Sequence, residues 1–145
     1  MADDDRQFRA IITSHPTLVP ERDVFFACRD GVPVATLTAY VHEDGRGDIH
    51  MVAAMRDARG HNLNRALLSA GLHSLDRLMT WRPRITALTT DDFRLPAIVG
   101  YLKAGFQPVE YDIGMYDRWK AVCDQLNIHG VEMLTQTGEG TGVIL

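Results

Sequence analysis

The segment from Asp48 to Thr80 constrains this chain more than any other. "DIHMVAAM" is apolar enough to lie inside a sheet, and "RDARGHNLNRALL" behind it runs directly into a leucine-rich helix. Leu63, Leu67, Leu75 and Leu78 fall on one helical stripe, while Arg65, Ser69, His73, Asp76 and Arg77 lie off it. A strand that feeds a helix through a short polar loop collects backbone N–H groups, and the positive end of the helix dipole, at that loop. Arg56, Arg59 and Arg65 crowd the same place, and an arginine there can pair with a phosphate through charge-assisted hydrogen bonds. Two readings stand at this point: an anion site, or a solvated basic helix start. No GK[ST] follows and no GxGxxG is present, so the loop is neither a P-loop nor a dinucleotide fingerprint.

The flanking segments fix the architecture around this unit. Phe8, Ile11 and Ile12 stand at helical spacing ahead of Pro16, which predicts a short amphipathic helix over 4–14. "VFFAC" and "PVATLTAYV" read as strands joined by an Asp30-Gly31 hairpin turn. After the helix ending near Thr80, "RITALTT" reads as a strand and "DDFRLPAIVGYLKAG" as a helix. That helix has Asp92 as its cap, Pro96 in its first turn and Gly105 as its stop. "FQPVEYDI" reads as a strand. "GMYDRWKAVCDQLN" reads as a helix burying Met115, Trp119, Val122 and Leu126, and "VEMLT" as a last strand. An antiparallel meander followed by βαβα units predicts an α/β fold: a mixed central sheet with helices on both faces. Residues 1–135 read as a single domain and 136–145 as a flexible tail.

The 145 residues carry a net charge of −4, which argues against nucleic acid as a partner, since that binding rests on clustered Lys and Arg. No apolar run approaches the length of a membrane span, and the acidic start "MADDDRQF" has no signal core. A cytoplasmic location is the expectation. Cys28 and Cys123 form no CxxC and read as reduced thiols rather than a disulfide.

"ARGHNLNRALL" resembles the acetyl-CoA loop of the GNAT superfamily of N-acetyltransferases, Arg/Gln-x-x-Gly-x-Gly/Ala running into a Leu-rich helix. Arg59 matches, whereas Asn62 and Asn64 stand at the two small positions. "PAIVGYLKAGF" resembles the second signature, A-x-x-x-Y-x-x-x-G-F, through Ala97, Tyr101, Gly105 and Phe106, with one strand between the two motifs as in the family. Gly100 stands where a larger apolar residue is usual; it costs the helix roughly 0.5–1 kcal/mol relative to Ala and opens space near the acyl group. The family usually begins with a further strand and helix, for which this N-terminus is too short. The resemblance therefore implies a minimal or truncated member, or a sheet completed by another chain.

The resemblance implies acetyl-CoA as co-substrate and no metal. It implies a cofactor site built from Arg59, Gly60, His61, Asn62, Leu63, Asn64 and Arg65, with main-chain N–H groups near Ala53 and Ala54 binding the thioester carbonyl. Asn is the residue after Gly that best tolerates positive φ, so a working loop is expected, with Asn62 capping the helix through its side chain and Asn64 turned outward. His50 and Asp48 share one strand face; by position they match the paired histidines proposed as bases in serotonin-acetylating members. An imidazole suits a general base near neutral pH. Tyr101 stands at the family's general acid, a phenol matched to a departing thiolate. His15, His42, His61, His73 and His129 show no metal-ligand spacing. The acceptor is expected to be a primary amine of a small molecule or peptide; Glu43 and Asp44 fit either a preference for a cation there or a solvated turn. A homodimer covering the exposed sheet edge is expected. The competing reading is a catalytically inactive GNAT-like binding domain.

Overall fold

The computed structural model describes the backbone of residues 2–145 and the side chains from Arg6 onward except Phe8, whose expected place on the first buried face lies outside the described residues. Contacts divide the chain into two compact units, Met1–Thr89 and Thr90–Leu145.

In the first unit, α1 (Ala2–Ser14) and the short α2 (Pro20–Asp23) precede a meander of β1 (Val24–Arg29), β2 (Val32–Val41) and β3 (Gly47–Ala54). A 3-10 turn at Arg56–Ala58, helix α3 (Leu63–Leu78) and β4 (Thr86–Leu88) complete it. The sheet order is β1-β2-β3-β4, antiparallel except for the parallel β3–β4 pair. Asp30 and Gly31 both take positive φ, 50° and 81°, as a two-residue hairpin turn with matching twist requires. Alternation along β2 divides the core. Leu37 and Ala39, both wholly buried, face α3 together with Ile49, and α3 approaches them through Gly71. On the opposite face Tyr40 packs with Ile12 of α1 and with Leu18. The mixed sheet thus has a helix on each face. Of the α1 stripe, Ile12 is buried and Ile11 is exposed.

The second unit holds α4 (Leu95–Lys103), α5 (Met115–Leu126) and the antiparallel hairpin β5 (Glu132–Leu134) and β6 (Gly140–Ile144). Pro96 lies in the first turn of α4, and Gly105, at φ 97°, follows its end. Asp92 is not the cap: Arg94 occupies that position, and the Asp92 carboxylate instead binds Arg118, with Nη2 2.7 Å away. Met115 and Val122 of α5 are buried as expected, and Trp119 and Leu126 partly so. The helix ends on Asn127 in the left-handed region, and the Ile128 N–H closes onto the Cys123 carbonyl at 2.9 Å.

Two expected elements differ. "FQPVEYDI" makes only a parallel bridge, Val109 with Leu134, with the N–H groups of Glu110 and Leu134 donating to Leu134 and Pro108 carbonyls. Pro108 lacks the donor that a longer ladder would use. Residues 140–144, where a flexible tail is expected, pair with β5 as β6; Thr141 and Val143 alternate inward, and the Thr141 hydroxyl donates to the Met133 carbonyl at 2.8 Å. Cys28 is exposed and Cys123 buried, both free. Among the described residues no helix is long and apolar enough to cross a membrane.

Candidate active site

The strand–loop–helix unit carries the densest set of available donors. Gly60 (φ 83°) and Asn62 (φ 57°) both lie in the left-handed region, which turns successive peptide groups toward one side of the loop. Among the described residues the backbone N–H groups of Gly60, His61, Asn62, Leu63 and Asn64 donate to no acceptor, and helical bonding begins with Arg65 and Ala66, both onto the Asn62 carbonyl. Five unused donors at the start of a sixteen-residue helix favour an anion. Arg59 and Arg65 are exposed beside them. The Arg59 Nε–H reaches back to the Ala54 carbonyl at 3.4 Å, and the Arg59 carbonyl lies 3.3 Å from His61 Nδ1.

The two asparagines behave differently from expectation. Asn62 takes the helix-cap position but makes no side-chain capping bond. A capping side chain needs an extended backbone at that residue, and Asn62 has the left-handed one that glycine would use. The donors it was expected to consume therefore stay free. Asn64 does not turn outward: its Oδ1 is buried without a hydrogen-bond partner.

Ahead of the loop, β3 carries a bulge. Thr36 pairs with Ala53 and Thr38 with His50, so Met51 and Val52 stand opposite Leu37 alone, and Met51 takes φ 51°. Pairing of β3 with β4 covers only Gly47, Asp48 and Ile49. Past that point the β4 side of β3 is unpaired within this sheet. The Met55 N–H donates to Val34 on β2, so by alternation the Ala54 N–H points to the open side and the Ala53 N–H toward β2. Of the two, Ala54 has the geometry to receive a carbonyl oxygen.

Asp48 and His50 share a face of β3 but do not join each other. Asp48 Oδ2 lies 2.8 Å from His42 Nε2, which is also 3.3 Å from the Tyr40 hydroxyl. That hydroxyl lies 3.1 Å from His15 Nδ1. The His15 ring stands edge-on to His50, with centroids 5.8 Å apart, and His50 makes no side-chain hydrogen bond among the described residues. Burial first, then the nearby Asp48 charge, push the Tyr40 phenol up to about 12 against the opposing Arg46. Sequence reasoning missed Tyr40, His42 and His15. The first two were findable: Thr38 and Tyr40 alternate along β2, His42 follows at the same spacing just past its end, and the hairpin register sets Tyr40 against Asp48. His15 arrives from the segment after α1, which no local pattern announces. Among the described residues no three His, Cys, Asp or Glu side chains converge to hold a metal ion.

In the second unit, Tyr101 lies on α4 and is 9% exposed, its ring edge-on to Phe106 at 6.2 Å. Burial raises its phenol above the ordinary value, and Arg94 opposes this. It stays a proton donor throughout the neutral range.

A family model described as acetyltransferase (GNAT) matches residues 2–106. Among solved structures, a candidate acyl-CoA N-acyltransferase from Klebsiella pneumoniae has 23% identity and TM-score 0.54, covering 73% of this chain and 71% of its own. Glucosamine-6-phosphate N-acetyltransferase from Arabidopsis thaliana has 16% identity and TM-score 0.54, covering 75% and 73%. At these identities the likeness is one of fold. A Staphylococcus aureus protein of unknown function has 19% identity and TM-score 0.49, covering 63% of this chain, and the match spans 65% of that protein's length. No curated protein matches.

Proposed function

The chain belongs to the GNAT family of acetyltransferases, and from that premise we propose that it moves an acetyl group from acetyl-CoA to a primary amine by direct attack on the thioester. The observation that carries this reading is the row of five unused N–H groups from Gly60 to Asn64. A pyrophosphate is an anion of the size and charge such a row takes, and Arg59 adds a charge-assisted contact. These residues fit the co-substrate: the left-handed Asn62 supplies the backbone turn of the family's glycine without using the donors.

The chemistry follows from what acyl transfer needs. The acceptor must lose a proton, since only the free amine is a nucleophile. The imidazoles and the carboxylate on the β2–β3 face, His50 and Asp48 among them, are suited to take it. The amine nitrogen attacks the thioester carbon, and the oxyanion that develops is received by the Ala54 N–H. The C–S bond breaks; the thiolate takes a proton from a general acid, the role that likeness to the family's second signature gives Tyr101, and the amide nitrogen sheds one, which restores that acid. The acceptor is a small molecule or a peptide.

The second reading, a GNAT-like domain without catalysis, draws on Asn64, whose buried Oδ1 is an acceptor where a phosphate loop wants donors. Thermal unfolding with acetyl-CoA, CoA and ATP separates the two. At a hundred times Kd a ligand stabilises by about 2.7 kcal/mol. A shift with both CoA species, followed by acetyl-CoA-dependent thiol release with a panel of primary amines, supports the enzyme. Binding without turnover on any amine, or no shift with either CoA species, refutes the enzyme and favours the second reading.

A further inference from the structure

The second unit leaves four large apolar side chains in water, on two loops and the helix turn that follows one of them. Residues 91–94 ahead of α4 and 110–114 ahead of α5 are all exposed. They present Phe93 at 77%, Tyr111 at 55% and Ile113 at 99% exposure, and Tyr116 in the first turn of α5 is exposed as well. A single exposed hydrophobe needs no explanation, but a gathered set marks a contact surface. Ile113 buries almost nothing, so the fold does not call for an apolar residue there.

Arg118 gathers the set. Its Nη2 and Nε donate to the Asp92 carboxylate at 2.7 and 3.0 Å, a bidentate pair that ties the first loop to α5. Asp92 raises the guanidinium above its ordinary range, and the nearby Tyr111 phenol adds to the effect. On the first loop, Arg94 lies over the Phe93 ring, 5.7 Å from its centroid, and its Nε donates to Asp91 at 2.8 Å. Exposed ion pairs contribute little to stability by themselves. Here they hold two loops in one arrangement, which lowers the ordering cost of binding a partner.

Both guanidiniums on this surface are thus committed to Asp91 and Asp92. Glu110, Asp112 and Asp117 are exposed, and among the described residues none of them forms an ion pair. The surface is apolar with a negative rim, and that charge selects among occupants. A two-fold contact between copies would set the rim against itself. Anionic lipid or a nucleic-acid backbone would meet it with like charge. The complementary occupant is a basic segment with apolar anchors.

We propose that loops 91–94 and 110–114 form a docking surface for a lysine- or arginine-rich peptide segment of a partner protein. An aliphatic or aromatic side chain of that segment seats among Phe93, Tyr111 and Ile113, and its cations face Glu110, Asp112 and Asp117. The test pans a random dodecapeptide library displayed on phage against the full chain, with Ile113→Asp as the counter-bait. Because Ile113 is so exposed, that variant should keep the wild-type circular dichroism spectrum and unfolding midpoint. Peptides kept by the wild type alone should pair Lys or Arg with an aliphatic or aromatic residue.

A synthetic copy of the most enriched peptide, titrated into 13C-labelled full chain, should move the Ile113 methyl and the Phe93 and Tyr111 ring signals most. Ile113→Asp should weaken that peptide by more than about tenfold. Asp112→Asn combined with Asp117→Asn should weaken it and flatten its salt dependence. Arg118→Gln, which unties the loops, should weaken it while the same residues respond. No enrichment over the counter-bait, enrichment of acidic or uncharged peptides, or signals that move elsewhere overturns the proposal. So does sedimentation with phosphatidylserine vesicles that Ile113→Asp abolishes, which makes the surface a membrane contact. A dimer that Ile113→Asp turns to monomer overturns it too, by making the surface a contact between copies.

Discussion

Gly71 and Gly100 both stand within helices, yet Gly→Ala should act in opposite directions at the two. At Gly71 an added Cβ would lie 2.7 Å from Leu37 Cδ2, 3.1 Å from the Ala39 Cβ and 3.5 Å from Ile49 Cδ1. Leu37 is wholly buried and cannot swing into water, and the Ala39 Cβ is fixed to its backbone. α3 must therefore lift off the sheet or the leucine leave its rotamer, an overpacking cost of about 1–3 kcal/mol. The helix itself gains about 1 kcal/mol from Ala. The balance is a loss of about 0–2 kcal/mol. At Gly100 no heavy atom lies within 4 Å of the added Cβ, so only the helix gain of roughly 0.5–1 kcal/mol remains. The two variants should thus differ by about 1–3 kcal/mol although the chemical change is the same. Guanidinium unfolding followed by far-UV circular dichroism measures this, provided the m-value is unchanged. A Gly71→Ala protein more stable than wild type, or a Gly100→Ala protein less stable, would refute the packing argument.

Other outcomes follow from the site. Asn62→Gly should preserve or tighten CoA binding in calorimetry, whereas Asn62→Ala should cost about 1–2 kcal/mol of stability, because alanine tolerates the left-handed region poorly. Tyr101→Phe should lower kcat with little change in acetyl-CoA affinity, since a proton donor to the leaving thiolate acts only in the transition state. The Tyr40 phenol, raised to about 12 in the fold from an ordinary value of 10.0, favours the folded state fully below the unfolded value. That contribution is lost as pH climbs through the folded value, so the guanidinium midpoint should fall between these two pH values. Tyr40→Phe should flatten the fall. Light scattering at micromolar concentration should find a homodimer covering the β1 edge, where Phe26 is exposed; a monomer contradicts that expectation.

What the sequence made legible was whatever depends on local pattern. The Asp30-Gly31 turn, the leucine stripe of α3, the meander and the stop at Gly105 all follow from period, turn chemistry and positive φ. The failures share a cause: tertiary pairing decided them. Asp92 has the chemistry of a cap, but Arg118, distant in sequence, takes its carboxylate. "GTGVIL" looks loose because it is glycine-rich, yet Thr141 and Val143 alternate inward once β5 is alongside. Asn62 shows the same split within one residue. Its tolerance of positive φ was readable, whereas the loss of its capping bond is a consequence of that conformation. At the site, Asp48 and His50 were chosen from a single strand, and the cross-strand register supplied Tyr40 and His42.

The claim that a CoA pyrophosphate sits on the unused donors at the start of α3 is tested most directly by backbone amide NMR during titration with CoA. The account predicts that the amides of Gly60, His61, Asn62, Leu63 and Asn64 move most and downfield, as hydrogen-bond donors do when an anion arrives. It also predicts that Arg59→Ala weakens binding by roughly 1.5–3 kcal/mol, about tenfold to a hundredfold, without changing which amides respond. CoA that binds while these five amides stay in place, or that does not bind at all, would contradict it.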